Sequence, residues 1–512
     1  MERHAVDSRA RAIGMRLGGC ILIASAWLGG CARAPEPLRI AFEDDIRTLD
    51  PHHHNDVVAW SLLANFFDAV ARFDPEMRLQ PALATRWEYP APERLRLSLR
   101  PGVRFHDGSP LSARDVAASL RRARDDPASR IRHLLEGVQA VVVPDELTVE
   151  VHTAGGVPTL LNHLALVFVV PAGQASHPEI TAPVGSGPYR FVGRRRDGVI
   201  EARAFAGWRG RPPIDAVEFT FVPDDGERAR RVLTGEVDLA VRLSPAAAEA
   251  VARGIGRRVI AQPRTNVQLL ELNPDHASGR TRTALADPRV RRALLAACNR
   301  SRYVNVAFRG NGAVAAQYVH PVVFGFDPTV DEVPHDPQHA LELLRQAGVR
   351  PEELELALGF GSASAELAAL IAEDFRLLGI RVDLHQLPFK VLIDRPATPH
   401  VNVRLFGRSC ITGDAAEFFN AAFHSPRPDG SFGSENFTGY ADASTDALLE
   451  SASREMDAHK RLLLLQEAQR RVLEALPVLP LTLSWTQTGI LDGLFFTPRH
   501  DQWLDVASFR WR

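Results

Sequence analysis

The chain has 512 residues, of which 45% are apolar and 24% charged, an ordinary balance for a globular protein with room for a sizeable core in two or three domains. A formal net charge of -2 leaves no basic footprint, which argues against nucleic acid or an anionic membrane surface as a charge-driven partner. Positive charge is almost all arginine, the only lysines being Lys390 and Lys460, a coding bias rather than a binding signal.

The first feature along the chain is an apolar run at 21–28, preceded by Arg9, Arg11 and Arg16 and followed by small residues. It is far shorter than the roughly 20 residues of a spanning helix and has the layout of a cleaved export signal. LGGC occurs twice, ending at Cys20 and at Cys31. Only Cys31 has the apolar run on its N-terminal side, as a processing site requires. Cys31 is therefore the predicted lipid-attachment residue, 1–30 the lipoprotein signal peptide (with Met15 an alternative start) and 31–37 a short tether. Plain secretion, with LGGC arising by chance, is the alternative. No later stretch reaches membrane-spanning length without charge. Two thiols remain, Cys298 and Cys410. Cys298 falls on the apolar side of a helical pattern, where a buried thiol is expected; export would permit a disulfide, but the sequence does not pair the two.

The mature chain opens with LRIAF at 38–42, a buried strand, and continues into helical spacing over 55–70 with Val58, Leu62, Phe66 and Ala69 on one face. Leu95, Leu97 and Leu99 alternate with Arg or Ser, a half-buried strand that Pro101-Gly102 ends. Ser112 starts a helix as N-cap, with Asp115 at the capping-box position, and VVVPDELTVEV reads as a hairpin turning at Pro144-Asp145. Strands at 217–222 and 237–241 flank a helix beginning at Glu227. Helices follow at 288–297, 337–346, 366–378 and 458–476, with strands at 381–385 and 401–406. Helices and strands interleave without repeats, which predicts a mixed α/β protein of more than one lobe.

Signals for chemistry are sparse. His52-His53-His54 is a histidine cluster, but neighbours on an extended chain point to opposite faces, so the three are weak metal candidates and a solvated loop is the bland reading. No HExxH and no GxSxG occurs. Gly185-Ser186-Gly187-Pro188-Tyr189 lacks the Lys-Ser/Thr ending of a phosphate loop, and its Pro removes a donor.

Several stretches read together resemble the extracytoplasmic solute-binding proteins of ABC importers, family 5, whose members include peptide- and nickel-binding proteins. They are RTLDPHHHNDVVAWSLLANFFDAVARFDPEMRLQPALATRWE, the "F.DG.P..A.DV" signature through Phe105, Asp107, Gly108, Pro110, Ala113, Asp115 and Val116, then GSGPYRFV, WRGRPPIDAVEF, LTGEVDLA, DPRVRRALLAACNR, HDPQHALELLRQAGV, LLGIRVDLHQLPF and a final block from SFGSENFTGY to EALPVLPLTL. The resemblance spans roughly residues 38 to 485. It implies an α/β fold of the periplasmic-binding-protein-like class II (cluster C), with two lobes in three domains, a hinge and an interlobe ligand cleft. The implied domains are 36–60 with 183–270 and 482–512, then 61–182 beside it, and 271–481 as the opposite lobe. Implied, too, is a periplasmic lipoprotein, monomeric, without cofactor or catalysis, that delivers a peptide-like or other polar solute to ABC importer permease subunits; Ala32 after Cys31 leaves inner and outer membrane both open.

By position in the family, ligand contacts would come from Asn55, Asp56 and Val57, from Arg242 and Leu243, and from the stretch RLFGRSCITGDAAEFF. In peptide-binding members that stretch resembles one carrying a Trp and then an Asp that pairs with the peptide ammonium. Here Arg408 stands at the Trp and Ile411 at the Asp. Either Asp414 takes over the carboxylate role, or Arg404, Arg408 and Arg242 favour an anionic group instead; Cys410 lies on the same loop. A metal chelate, haem or an oligosaccharide is the alternative ligand within the family. The alternative from another class is a metal-dependent lipoprotein hydrolase built on His52–His54 or cleft carboxylates.

Overall fold

The strand Leu38–Phe42 runs at the centre of a seven-stranded sheet, pairing in parallel with Ala216–Phe221 on one side and Leu239–Leu243 on the other. A central parallel strand is covered on both faces, which is why Leu38, Ile40, Ala41 and Phe42 are all buried and the half-buried Arg39 is paired with Asp238. Antiparallel strands complete the sheet, Thr486–Leu491 and Arg257–Gln262 beyond Leu239–Leu243, Ile200–Ala204 and Tyr189–Arg194 beyond Ala216–Phe221. The computed structural model describes residues 36–393 and 400–512. The predicted signal peptide and Cys31 lie outside the described residues.

Two further sheets carry the rest. Ala84–Ala91, Arg94–Leu99, Thr148–Thr153 and Val138–Asp145 form an antiparallel four-stranded sheet. Leu95, Leu97 and Leu99 are buried in it and their Arg and Ser neighbours are not, the period-2 alternation of a strand with one face on the core. The helix Ala113–Asp125 packs on this sheet, opened by the predicted capping box: the Ser112 amide donates to the Asp115 carboxylate at 2.8 Å. The six-stranded sheet has the order Gly312–Val314, Val478–Ser484, Asn266–Leu272, Val403–Ser409, Glu355–Phe360, Arg381–Gln386. Asn266–Leu272 is buried at every position at its centre.

Only two connections join the seven-stranded to the six-stranded sheet at strand level, residues 263–265 and the single residue Trp485. Arg264 in the first donates to Ser484 Oγ, at the strand end just before the second, at 2.7 Å. A break at 270/271 would cut the strand Asn266–Leu272, a break at 481/482 the strand Val478–Ser484, and a break at 60/61 the helix Val57–Leu63.

That helix is also much shorter than the 55–70 segment its periodicity predicts. Asp56 caps it, accepting from the Ala59 amide at 2.8 Å, but Gly187 and Tyr189 donate to the carbonyls of Phe66 and Asn65, each at 2.9 Å. Those carbonyls are thereby held by tertiary hydrogen bonds rather than helical ones. The two glycines of GSGPY allow it, since a β-carbon at Gly185 or Gly187 would collide with the Phe66 backbone.

The histidine run is part of a buried polar clamp rather than a solvated loop. Arg122, on the helix Ala113–Asp125, donates to both oxygens of the fully buried Asp50, at 2.8 and 2.6 Å. The His52 and Ile180 amides donate to the same carboxylate at 3.0 and 2.9 Å. His52 Nε2 donates to the Phe168 carbonyl at 2.9 Å and its Nδ1 faces Arg122. His53 bonds Asp126 at 2.8 Å, and His54 packs edge-on against Trp60. Burial pushes His52 and His54 down to about 4, so both are neutral. His52 and His53 commit their rings to these bonds, His54 is buried with both ring nitrogens unpartnered, and among the described residues no group of three His, Cys, Asp or Glu side chains could hold a metal ion.

Burial alone would raise the Asp50 carboxyl, but the hydrogen bonds from Arg122, His52 and Ile180 hold it below the ordinary carboxylate value of 3.8. Its contribution to stability is therefore fully present above that value and is lost as pH falls through the lower folded-state value. Asp50→Ala and Arg122→Ala should each destabilise the protein by about 3–5 kcal/mol, because each strands a buried charge. Urea unfolding followed by circular dichroism at pH 7 measures this; a loss below 1 kcal/mol, on the order of an exposed pair, would show that the clamp carries no weight.

Candidate functional site

A cavity of about 830 Å3 opens between the four-stranded unit and the six-stranded unit. One wall comes from the turn around His133 and Glu136 and from the segment 157–163, the other from the end of the strand Val403–Ser409 and the helix Ala415–Ala422. The walls touch: the Asn162 side-chain amide donates to the Thr412 carbonyl at 2.8 Å.

Local sequence places the second wall. After Val403–Ser409 the chain turns through Gly413, whose φ of 70° suits glycine, and Asp414 caps the next helix by accepting from the Ala416 amide at 2.9 Å. Glu417 then falls in the first helical turn and faces the cavity. The residue is exposed where it lines the cavity. Thr412 Oγ1 donates to it at 3.0 Å, and no cationic side chain lies at ion-pair distance among the described residues. Burial raises its pKa; the Thr412 hydroxyl opposes this, while Glu435 and Asp414 add to it.

Of the positions expected to meet ligand, Asn55, Arg408 and Cys410 line this cavity. The others are placed elsewhere, each for an identifiable reason. Asp56 is the cap of Val57–Leu63. Val57 and Arg242 line a separate, much smaller recess, where Arg242 pairs with Glu43 at 2.7 Å. Leu243 is buried in the layer formed with Ala247, Ala248 and Val251. Arg404 is buried, donates through Nε to Glu271 at 2.6 Å and stacks on Phe437 at 4.2 Å, so its charge is neutralised inside the six-stranded unit. Ile411 packs against the core of the opposite unit. Asp414 is buried and held by Arg461 through both oxygens, at 2.6 and 2.8 Å, which removes it as a free carboxylate for an amine.

Arg408 pairs with Glu435 and lies 3.5 Å from Glu271, its guanidinium over Phe406 and Phe418. His133 and His163 complete the charged and titratable wall. Burial depresses both, His163 to about 4, so neither carries charge at neutral pH. Sequence reasoning missed Glu417, Glu136, His133, His163 and Glu435. For Glu417 a signal existed but pointed elsewhere: DAAE reads as a helix start with a capping acid. His133 and Glu136 sit in a segment with no periodicity to orient them.

Cys298 and Cys410 are both free and buried. Burial pushes the Cys298 thiol up to about 12 and raises that of Cys410, helped by the negative charge of Glu417 and Asp414. Thiolate is the reactive form, so neither residue should be alkylated by iodoacetamide at pH 8 in the native protein, and both should react after unfolding in urea. Peptide mass mapping reads the outcome; native labelling of Cys410 would show that the cavity wall opens.

Comparison with known proteins agrees with this architecture. Residues 78–430 match the family described as bacterial extracellular solute-binding proteins, family 5 Middle. The chain is 26% identical over 501 residues to di/tripeptide-binding protein 2 of Pseudomonas aeruginosa (strain UCBPP-PA14), covering 90% of this chain and 92% of that protein. It is 26% identical over 480 residues to the glutathione-binding protein GsiB of Escherichia coli (strain K12), covering 90% and 91%. The solved structure of the ABC transporter substrate-binding protein CtaP from Listeria monocytogenes superposes with a TM-score of 0.82 at 20% identity, covering 93% of this chain and 99% of that one. The fold is thus that of the class II periplasmic binding proteins. The chain belongs to the bacterial extracellular solute-binding proteins of family 5, and it binds solute rather than transforming it.

Proposed function

We propose that the cavity captures a short peptide or similar polar solute through its ammonium group, with Glu417 as the carboxylate partner, and that the protein delivers this solute to the permease of an ABC importer. The observation that carries the reading is the unpaired carboxylate of Glu417 in the wall of a cavity between two units. Ile411 stands where the resemblance puts an amine-binding Asp, and Asp414 is held by Arg461; Glu417 supplies the missing charge from one helical turn further on. The peptide-binding relative supports a peptide, and the cavity lies within the range of about 300–1,000 Å3 usual for small-molecule sites. We read residues 263–265 and Trp485 as the hinge about which the lobes move, with Asn162 and Thr412 meeting on closure. Cys31, following the apolar run 21–28, is the residue we propose to carry a lipid that keeps a monomeric binding protein beside its transporter.

A cation paired with Glu417 favours the ionised carboxylate, so binding should release a proton where the free carboxyl is still protonated. Affinity is then lost as pH falls through the raised pKa of Glu417 and is level above it. For Ala-Ala, isothermal titration calorimetry should show Glu417→Gln weakening binding by about 2–3 kcal/mol, roughly 30- to 150-fold, the usual cost of removing one partner of a buried charge pair. Equal affinity of the variant and the parent would sink the assignment of Glu417.

A further inference from the structure

The charges around the cavity do not balance. Arg461 is neutralised by Asp414, through both oxygens. Arg404 and Arg408 share Glu271 and Glu435 between them, two cations against two carboxylates. Two lining carboxylates are left, Glu417 on one wall and Glu136 on the other, and neither has an ion-pair partner among the described residues. His133, next to Glu136, and His163 are neutral through burial and offset nothing. Both residues are exposed to the cavity, and two like charges lining one space favour a ligand that brings the opposite sign.

The other polar groups of the wall are only partly satisfied. Asn420 uses its amide N–H on Ser453 Oγ at 2.9 Å, while its carbonyl oxygen is buried without a partner. The hydroxyls of Ser431 and Ser453 donate to their own segments, to Asp429 at 2.7 Å and to the Leu449 carbonyl at 2.8 Å. The Asn420 carbonyl is thus an unmet buried acceptor, which is costly, and Arg408 Nε is an unmet donor on the same wall.

We infer that the preferred solute carries two cationic groups, one read by Glu417 and the second by Glu136 from the opposite wall. This rests on the reading of Glu417 as the ammonium partner and adds the charge class of the solute to it. A short peptide with an N-terminal lysine or arginine fits, as does a linear diamine. An acidic peptide such as glutathione brings the wrong charge to both carboxylates. Because the two acids stand on different walls, a dication spans the cleft, and its binding and the approach of the walls become one event.

The test is isothermal titration calorimetry on the full protein with Lys-Ala, Nε-acetyl-Lys-Ala, Ala-Ala, 1,5-diaminopentane and glutathione. Lys-Ala is expected to bind at least about tenfold more tightly than its acetylated form, a modest share of what desolvated charge pairs reach, with glutathione weakest of the peptides. In Glu136→Gln that preference should fall towards one. Glu136 is exposed and unpaired, so the variant should keep the parent's melting temperature. Equal affinity for Lys-Ala and Nε-acetyl-Lys-Ala overturns the inference, and it leaves the Glu417 reading standing if Ala-Ala binding still depends on Glu417. Binding of 1,5-diaminopentane that depends on Glu136, with no peptide bound, sustains the dication and overturns the peptide. No binding of any probe overturns both.

Discussion

The pairing of Asp50 with Arg122 is the constraint on which the binding wall depends. Asp50 lies in the loop after the first strand of the seven-stranded sheet, and Arg122 lies on the helix that covers the four-stranded sheet. Two charges removed from water are tolerated because each is met by geometry of the right kind: a forked guanidinium on both carboxylate oxygens, with two backbone amides taking the remaining lone pairs. The clamp fixes the four-stranded unit against the sheet that anchors the chain. His133 and Glu136, which follow the clamped helix closely in sequence, are thereby carried to the cavity mouth. His52 and His53 are hydrogen-bond partners of this clamp, while His54 packs against Trp60.

The cavity owes its character to how few of its charges are free. The arginines near it are engaged by carboxylates within the six-stranded unit, so a segment that looks cationic in one dimension, RLFGRSCITGDAAEFF, presents a carboxylate as its uncompensated charge. Position along a helix adds to this. Asp414 at the cap is turned into the protein and locked by Arg461, whereas Glu417, three residues later, projects from the first turn into the cleft. Ile411 then has a packing role, closing apolar surface between the two units in place of making a polar contact.

The connections between the large sheets are short, and this shapes the motion available. Residues 263–265 and Trp485 run side by side, bridged by Arg264 and Ser484. Few backbone dihedrals can absorb a reorientation there, which favours a rigid-body rotation of one unit against the other. Contacts such as Asn162 with Thr412 are single hydrogen bonds of modest net worth, about 1 kcal/mol. Such contacts can break and re-form as solute enters and leaves.

The amino-acid sequence determined the elements whose physics is local. Capping residues and 3.6-residue periodicity located the helices Pro288–Ala297 and Pro337–Gln346 to the residue, and period-2 alternation marked the half-buried strand Arg94–Leu99. The helix at 57–63 was overdrawn because carbonyls of Asn65 and Phe66 are claimed by Gly187 and Tyr189, more than a hundred residues away, and no local pattern records such a bond. Ordered motifs also made the family legible, since they encode turns and caps that any member must build. The ligand wall was legible only in part. Asn55, Arg408 and Cys410 could be placed by position, but whether a charge is free depends on what lies beside it in space. Arg404 and Asp414 have partners distant in the chain, Glu271 and Arg461, and Glu136 and Glu417 line one cavity only because separate units pack. Sequence fixes which charges exist; tertiary structure alone decided which of them are left over to meet a ligand, because neutralisation acts over a few ångströms of space and not over distance along the chain.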